Sequence, residues 1–90
     1  MERLPRVSQF LKEKLEEKQL QNKSYSLRAF SAKLGISPGG LAQILSGKKR
    51  ISINRAHEVA VNLKLSKEEK TLFILLVEFE QSIRARSDAA

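Results

Sequence analysis

Only three residues, Gly35-Ile36-Ser37, separate two short stretches of helical patterning. Before them, Leu27, Phe30, Ser31 and Leu34 recur at i, i+3, i+4 and i+7. After them, Leu41, Ile44 and Leu45 repeat the spacing. Each stretch is only about two turns long, too short to persist alone in water. A three-residue connection holds the two close together, so both must bury their apolar stripes in one core. The punctuation agrees. Gly35 stands where a helix ends in a left-handed residue. Ser37 is an N-cap, with Pro38 at the first helical position, where a missing N–H costs nothing. The second helix is expected over residues 38–46, with Gly47 ending it.

The flanks supply further helices. A first helix is expected over residues 5–20, with Val7, Phe10, Leu11 and Leu15 on one stripe and mixed Glu and Lys elsewhere. Ser26 caps the helix over residues 27–34. Asn54 is expected to cap a fourth helix that turns Ala56, Val59, Ala60 and Leu63 inward, and the connection before it offers Ile51 and Ile53 to the core. Ser66 and Glu69 form a capping box that opens a fifth helix, expected to run to residue 83 and leave 84–90 as a frayed tail. The whole reads as one all-α, five-helix domain over residues 1–90, a length suited to a single core. Cysteine is absent, which removes disulfides, thiolate metal sites and cysteine nucleophiles. The longest apolar run, residues 72–77, is far below the roughly 20 residues that span a bilayer.

Charge placement narrows the function. The net charge is +7, and residues 23–57 hold seven cations and no acid. The cations are Lys23, Arg28, Lys33, Lys48, Lys49, Arg50 and Arg55. Outside that block ten basic and ten acidic residues balance. A block of one sign indicates an anionic partner, nucleic acid first. A short helix, a tight turn and a second short helix also form the shape that reads DNA.

Residues 27–46 resemble the helix-turn-helix of the lambda-repressor-like (Xre-type) DNA-binding domains. The family pattern has apolar residues where Phe30, Leu34 and Ile36 stand, a small residue at Ser31 and glycine at Gly35. It continues with apolar Leu41 and Ile44 and a terminating glycine at Gly47. The likeness extends over about residues 27–63. It implies a five-helix lambda-repressor-like fold, double-stranded DNA as partner and a role in transcription regulation; the cytoplasmic location expected for the chain rests instead on the absence of cysteine. The likeness also implies that the helix over 38–46 enters the major groove. Residues 25–80 further resemble the N-terminal part of larger bacterial regulator-like proteins, which implies that the chain is a piece of something longer. Two departures matter. Leu27 stands where the family often carries Gln, and Pro38 and Gly39 occupy the two leading base-reading positions.

Candidate contacts follow. Gln43 is the clearest base reader, because its amide can pair with both polar atoms of an adenine edge. Gly39 and Gly40 would let the helix backbone approach the bases; the plainer reading is a helix start that tolerates glycine at roughly 1 kcal/mol each. Lys48, Lys49 and Arg50 are expected on phosphates, since three cations exceed what one helix dipole calls for. Arg28, Ser37 and Ser46 are further phosphate candidates, with a capping role as the alternative for Ser46. Arg55 and Lys33 are weaker ones, and His57 is expected on the surface. In the fifth helix, Leu72, Leu75, Leu76, Phe79 and Ile83 are expected to face the core. That leaves Phe73, Ile74 and Val77 as a candidate homodimer face, the alternative being a wide groove in which the first helix covers both faces.

No catalytic constellation, cofactor fingerprint, metal cluster or small-molecule signature stands out, so neither an enzyme nor a cofactor is expected. Two rivals remain at this level. One is a protein-interaction module on the same fold, docking an acidic partner on the basic block. The other is RNA binding, for which Tyr25 and Phe30 would have to serve as stacking platforms.

Overall fold

A computed structural model describes the backbone of residues 6–89 and the side chains of residues 6–83. Five helices follow one another: α1 Val7–Gln21, α2 Leu27–Leu34, α3 Pro38–Leu45, α4 Ile53–Asn62 and α5 Lys67–Ala89. No strand occurs among the described residues. Serine sets most of the helix starts. The hydroxyls of Ser26, Ser37 and Ser52 accept the N–H groups of Ala29, Gly40 and Arg55 at 3.0–3.1 Å. At α5 the capping box closes reciprocally: Ser66 Oγ accepts the Glu69 N–H, and Glu69 Oε1 accepts the Ser66 N–H. The fourth helix corrects an expectation. Its cap is Ser52, not Asn54, so Ile53 and Asn54 already lie inside α4. The hydroxyl that reaches the third N–H wins over the amide two residues later.

Gly35 adopts φ 74° and ends α2; its N–H returns to the Ser31 and Ala32 carbonyls. The turn drives Phe30 and Leu34 of α2 and Leu41 and Ile44 of α3 into one core. Ser31 is buried among them, and its hydroxyl donates to the Arg28 carbonyl at 2.8 Å, so no polar atom is left unsatisfied there. Val7, Phe10 and Leu11 of α1 and Ala56, Val59 and Ala60 of α4 complete the core as expected, together with Ile51 from the connection.

The last helix departs from expectation in two ways. It continues to Ala89 rather than fraying after residue 83, which suits a segment rich in Arg and Ala with no Gly or Pro. Its core face is also different. Phe73, Leu76 and Val77 are buried, with Ile74 half-buried, while Leu72, Leu75, Phe79 and Ile83 are 41–57% exposed. Phe73 and Val77 are therefore core residues and do not form a spare dimer face. A run of six apolar residues fits several stripes equally well, and tertiary contacts choose between them. Phe73 stacks at a tilt on Phe10, ring centres 5.1 Å apart, and Glu80 accepts the Val7 N–H at 2.8 Å.

α1 and α5 are joined at the other end by Lys14, which hydrogen-bonds to Glu69 and also pairs with Glu17. Burial works against the Lys14 ammonium, but the bonds and charges of Glu69 and Glu17 hold its pKa above the usual lysine value. The hydrogen bond from Lys14, then that from the Ser66 N–H, holds the Glu69 carboxyl below 4.5. A carboxylate depressed in this way adds stability above pH 4.5, and that contribution fades as pH falls through the folded-state pKa. Glu69→Gln retains a capping-box side chain but removes the ion pair. Thermal melts should place this variant below wild type at pH 7, with the gap closing as pH drops under 4.5. A gap that stays constant across that range would assign the difference to something other than the Lys14–Glu69 pair.

Candidate nucleic-acid interface

α3 has one buried side and one bare side. Leu41, Ile44 and Leu45 are buried, and Gly40 is half-buried. Pro38, Gly39, Ala42, Gln43 and Ser46 are exposed. Gln43 is the side chain on this face best suited to read a base edge. Its neighbour Ala42, which sequence reasoning passed over, adds a methyl group at the same level. The signal was present: residues 39, 42, 43 and 46 are spaced as one helical face once Leu41 and Ile44 are assigned inward.

The two glycines have different reasons for being there. A Cβ on Gly40 would lie 2.9 Å from Ser37 Oγ and 3.4 Å from Ile36 Cγ2, and the Gly40 N–H is already bound to that same hydroxyl. Gly40 therefore serves the cap. A Cβ on Gly39 would meet nothing within 4 Å, and its φ lies outside the left-handed range. Nothing inside the fold requires glycine at position 39. In the first turn Pro38 has no N–H and that of Gly40 is engaged, which leaves the Gly39 N–H pointing from a positively polarised helix start.

The cationic run is wound tightly onto the end of α3. Gly47 takes φ 82°. The Gln43 carbonyl then accepts the N–H groups of Lys48 at 2.9 Å and Lys49 at 3.2 Å. The same carbonyl accepts the Ser46 hydroxyl at 3.0 Å. This places the backbone of Lys48 and Lys49 in a fixed relation to the residue that carries the Gln43 amide. It also commits the Ser46 hydroxyl proton to the helix end, a capping role. Lys48, Lys49 and Arg28 have no acidic partner among the described residues. Arg50 lies 3.8 Å from Glu80. Arg55 donates to the Gly35 carbonyl at 3.2 Å and pairs with Glu58 at 3.1 Å, while Asn62 reaches the Leu34 carbonyl at 3.4 Å. Those two side chains of α4 satisfy carbonyls at the end of α2 and brace the turn.

A cleft runs between the turn and the cationic loop, lined by Ser37, Gly40, Lys49, Arg50, Ser52 and Arg55 among others, with no acid on its walls. Aromatic platforms are lacking beside it. Phe30 is fully buried and Tyr25 is half-buried, edge-on to the Phe30 ring. His57 is exposed, and no group of potential metal ligands exists among the described residues. No described helix is long and apolar enough to cross a membrane.

This geometry is that of a helix-turn-helix, and sequence comparison agrees. The model of the Helix-turn-helix family matches residues 11–70. The chain belongs to that family, in its Xre or lambda-repressor-like form, a family of DNA-binding domains. The match starts within α1 and ends within α5, so it covers the turn, the bare face of α3 and the cationic loop. No curated protein and no solved structure gives a significant match.

The contrast between the glycines is testable. Gly39→Ala should raise stability by about 0.4–1 kcal/mol, because alanine fits the site and restricts the unfolded chain. The same substitution should weaken duplex binding if backbone approach matters. Gly40→Ala should lower stability by about 1 kcal/mol through its effect on the Ser37 cap. Chemical denaturation paired with duplex binding checks both. Equal stability changes at the two positions would contradict the assignment.

Proposed function

We propose that the domain is the DNA-binding unit of a transcription regulator that lays the bare face of α3 in the major groove of double-stranded DNA. The observation that carries this reading is the union of two features on one element. α3 presents an exposed face free of acids, and its C-terminal carbonyl rigidly holds two lysines that have no acidic partner. In this reading Gln43 meets a base edge, preferring adenine, and the missing side chain of Gly39 allows the helix start to approach closely. Lys48 and Lys49 contact phosphates beyond the end of α3. Arg28, exposed near the start of α2, contacts a phosphate on the other side of the turn. Ser37 can still donate its hydroxyl proton, because its capping bond uses the oxygen as acceptor.

The exposed strip of Leu72, Leu75, Phe79 and Ile83 supports a second element of the proposal. These residues recur at helical spacing along the outer side of α5, and a second copy with the same strip is the self-complementary partner for it. A symmetric pair would carry two α3 helices and favour a palindromic site with half-sites about 34 Å apart.

Binding measured against salt tests the first element. Lys49→Ala should reduce the slope of log affinity on log salt by about 0.9. Gln43→Ala should cost roughly 1–3 kcal/mol on the preferred site and leave random duplex almost unaffected. If neither variant changes affinity, and an acidic protein surface is bound better than duplex, the interface belongs to a protein partner instead. Sedimentation across a concentration range tests the second element: wild type should associate and Leu75→Glu should not. A wild type that stays monomeric at high concentration, alone and on DNA, would rule out the second copy.

A further inference from the structure

The cationic loop is held at both ends, and its second anchor lies in α5. Gln81 Nε2 donates to the Ile51 carbonyl at 2.8 Å, thirty residues away in sequence. Beside it, Glu80 is divided between two partners. Oε2 accepts the Val7 N–H at the start of α1 at 2.8 Å, and Oε1 lies 3.8 Å from the Arg50 guanidinium. The Glu80 side chain is 21% exposed and Arg50 is 36% exposed, so this pair is partly shielded from water. Arg6, Val7, Lys49, Arg50, Ile51 and Glu80 line one small cavity at this junction, together with Ile44 and Gly47 of the helix end. The cations of the loop therefore fall into two kinds. Lys48 and Lys49 have no acidic partner among the described residues, while Arg50 faces an acid whose other oxygen is fixed to α1.

We propose that Gln81 and Glu80 are positioning residues for the cationic loop, and that Arg50 acts as a strut to α5 rather than as a phosphate ligand. This rests on the DNA-binding reading above and deepens it by saying how the lysines are aimed. At the α3 end, the loop is fixed by hydrogen bonds to the Gln43 carbonyl. At the other end it is fixed by Gln81 and the Arg50–Glu80 pair. A loop tied at both ends presents Lys48 and Lys49 in one arrangement before DNA arrives, so less conformational freedom is lost on binding. Released at the α5 end, the lysines keep their charge but lose their aim.

The test is Gln81→Met, which keeps side-chain length and helix propensity, removes the donor and changes no charge. Duplex affinity should fall about three- to tenfold at fixed salt, and the salt slope should drop by up to about 0.9 for each lysine that disengages. The loss should also be smaller in a Lys49→Ala background, because the two substitutions act on one contact. A residue that only stabilised the fold would lower the melting temperature, leave the slope unchanged and act additively with Lys49→Ala. If the Met variant fails to fold, Gln81→Asn withdraws the amide by one methylene and puts the same question. Wild-type binding with an unchanged slope in the Gln81 variant overturns this inference alone. A wild type that binds no duplex overturns the DNA-binding reading and this inference with it.

Discussion

The left-handed backbone at Gly35 is the constraint on which the rest of the molecule depends. With φ 74° at Gly35 the chain leaves α2 and enters α3 within three residues. A side chain there would meet only Asn62, at an ordinary 3.8 Å, so glycine is required by the dihedral rather than by space. The turn fixes how Phe30 and Leu34 meet Leu41 and Ile44, and Ser31 is small enough to lie buried where they converge. Burial on one side of α3 then decides what its other side shows. α4 reinforces the arrangement from outside, as Arg55 and Asn62 hold the carbonyls of Gly35 and Leu34.

From that fixed helix the chemistry of the bare face follows by elimination. Gly40 is engaged in the cap, Ser46 in the helix end, and Pro38 has neither an N–H nor a polar group. Gln43, the Ala42 methyl and the open backbone at Gly39 remain to meet a partner. In the proposed complex, one amide and little else would give modest base discrimination, while the cations wound onto the Gln43 carbonyl would supply attraction that does not depend on sequence. Shape and deformability of the duplex would then contribute a larger share of specificity than in a domain with several base-reading side chains.

Much of this was legible in the sequence, for local reasons. Ser26, Ser37, Pro38, Gly35, Gly47 and the Ser66–Glu69 box act within a few residues of themselves, so their roles follow from position alone. Periodicity sufficed for α1 to α4, where the apolar residues are few enough to define one stripe. It failed in α5, because six consecutive apolar residues define no unique stripe and the choice came from Phe10 and Val7 in a distant helix. Position alone does not separate Ser52 from Asn54, since both are good capping residues, and the choice shows only in the bond from the Arg55 N–H to the Ser52 hydroxyl. The two glycines of α3 look alike in sequence and separate only when the Ser37 hydroxyl is located. The anchoring of the loop by Gln81 and Glu80 joins residues some thirty positions apart and leaves no local trace.

In the proposed function, the bare side of α3 and the loop after it form the surface that meets DNA. Amide chemical-shift mapping during titration with duplex DNA tests this most directly, since it reports every face of the domain at once. If this surface meets DNA, the largest changes fall at Gly39, Ala42, Gln43, Lys48 and Lys49, with a smaller cluster at Arg28 and with the α1 amides unmoved. Changes concentrated on α1 or on the outer strip of α5, with α3 silent, would contradict that reading.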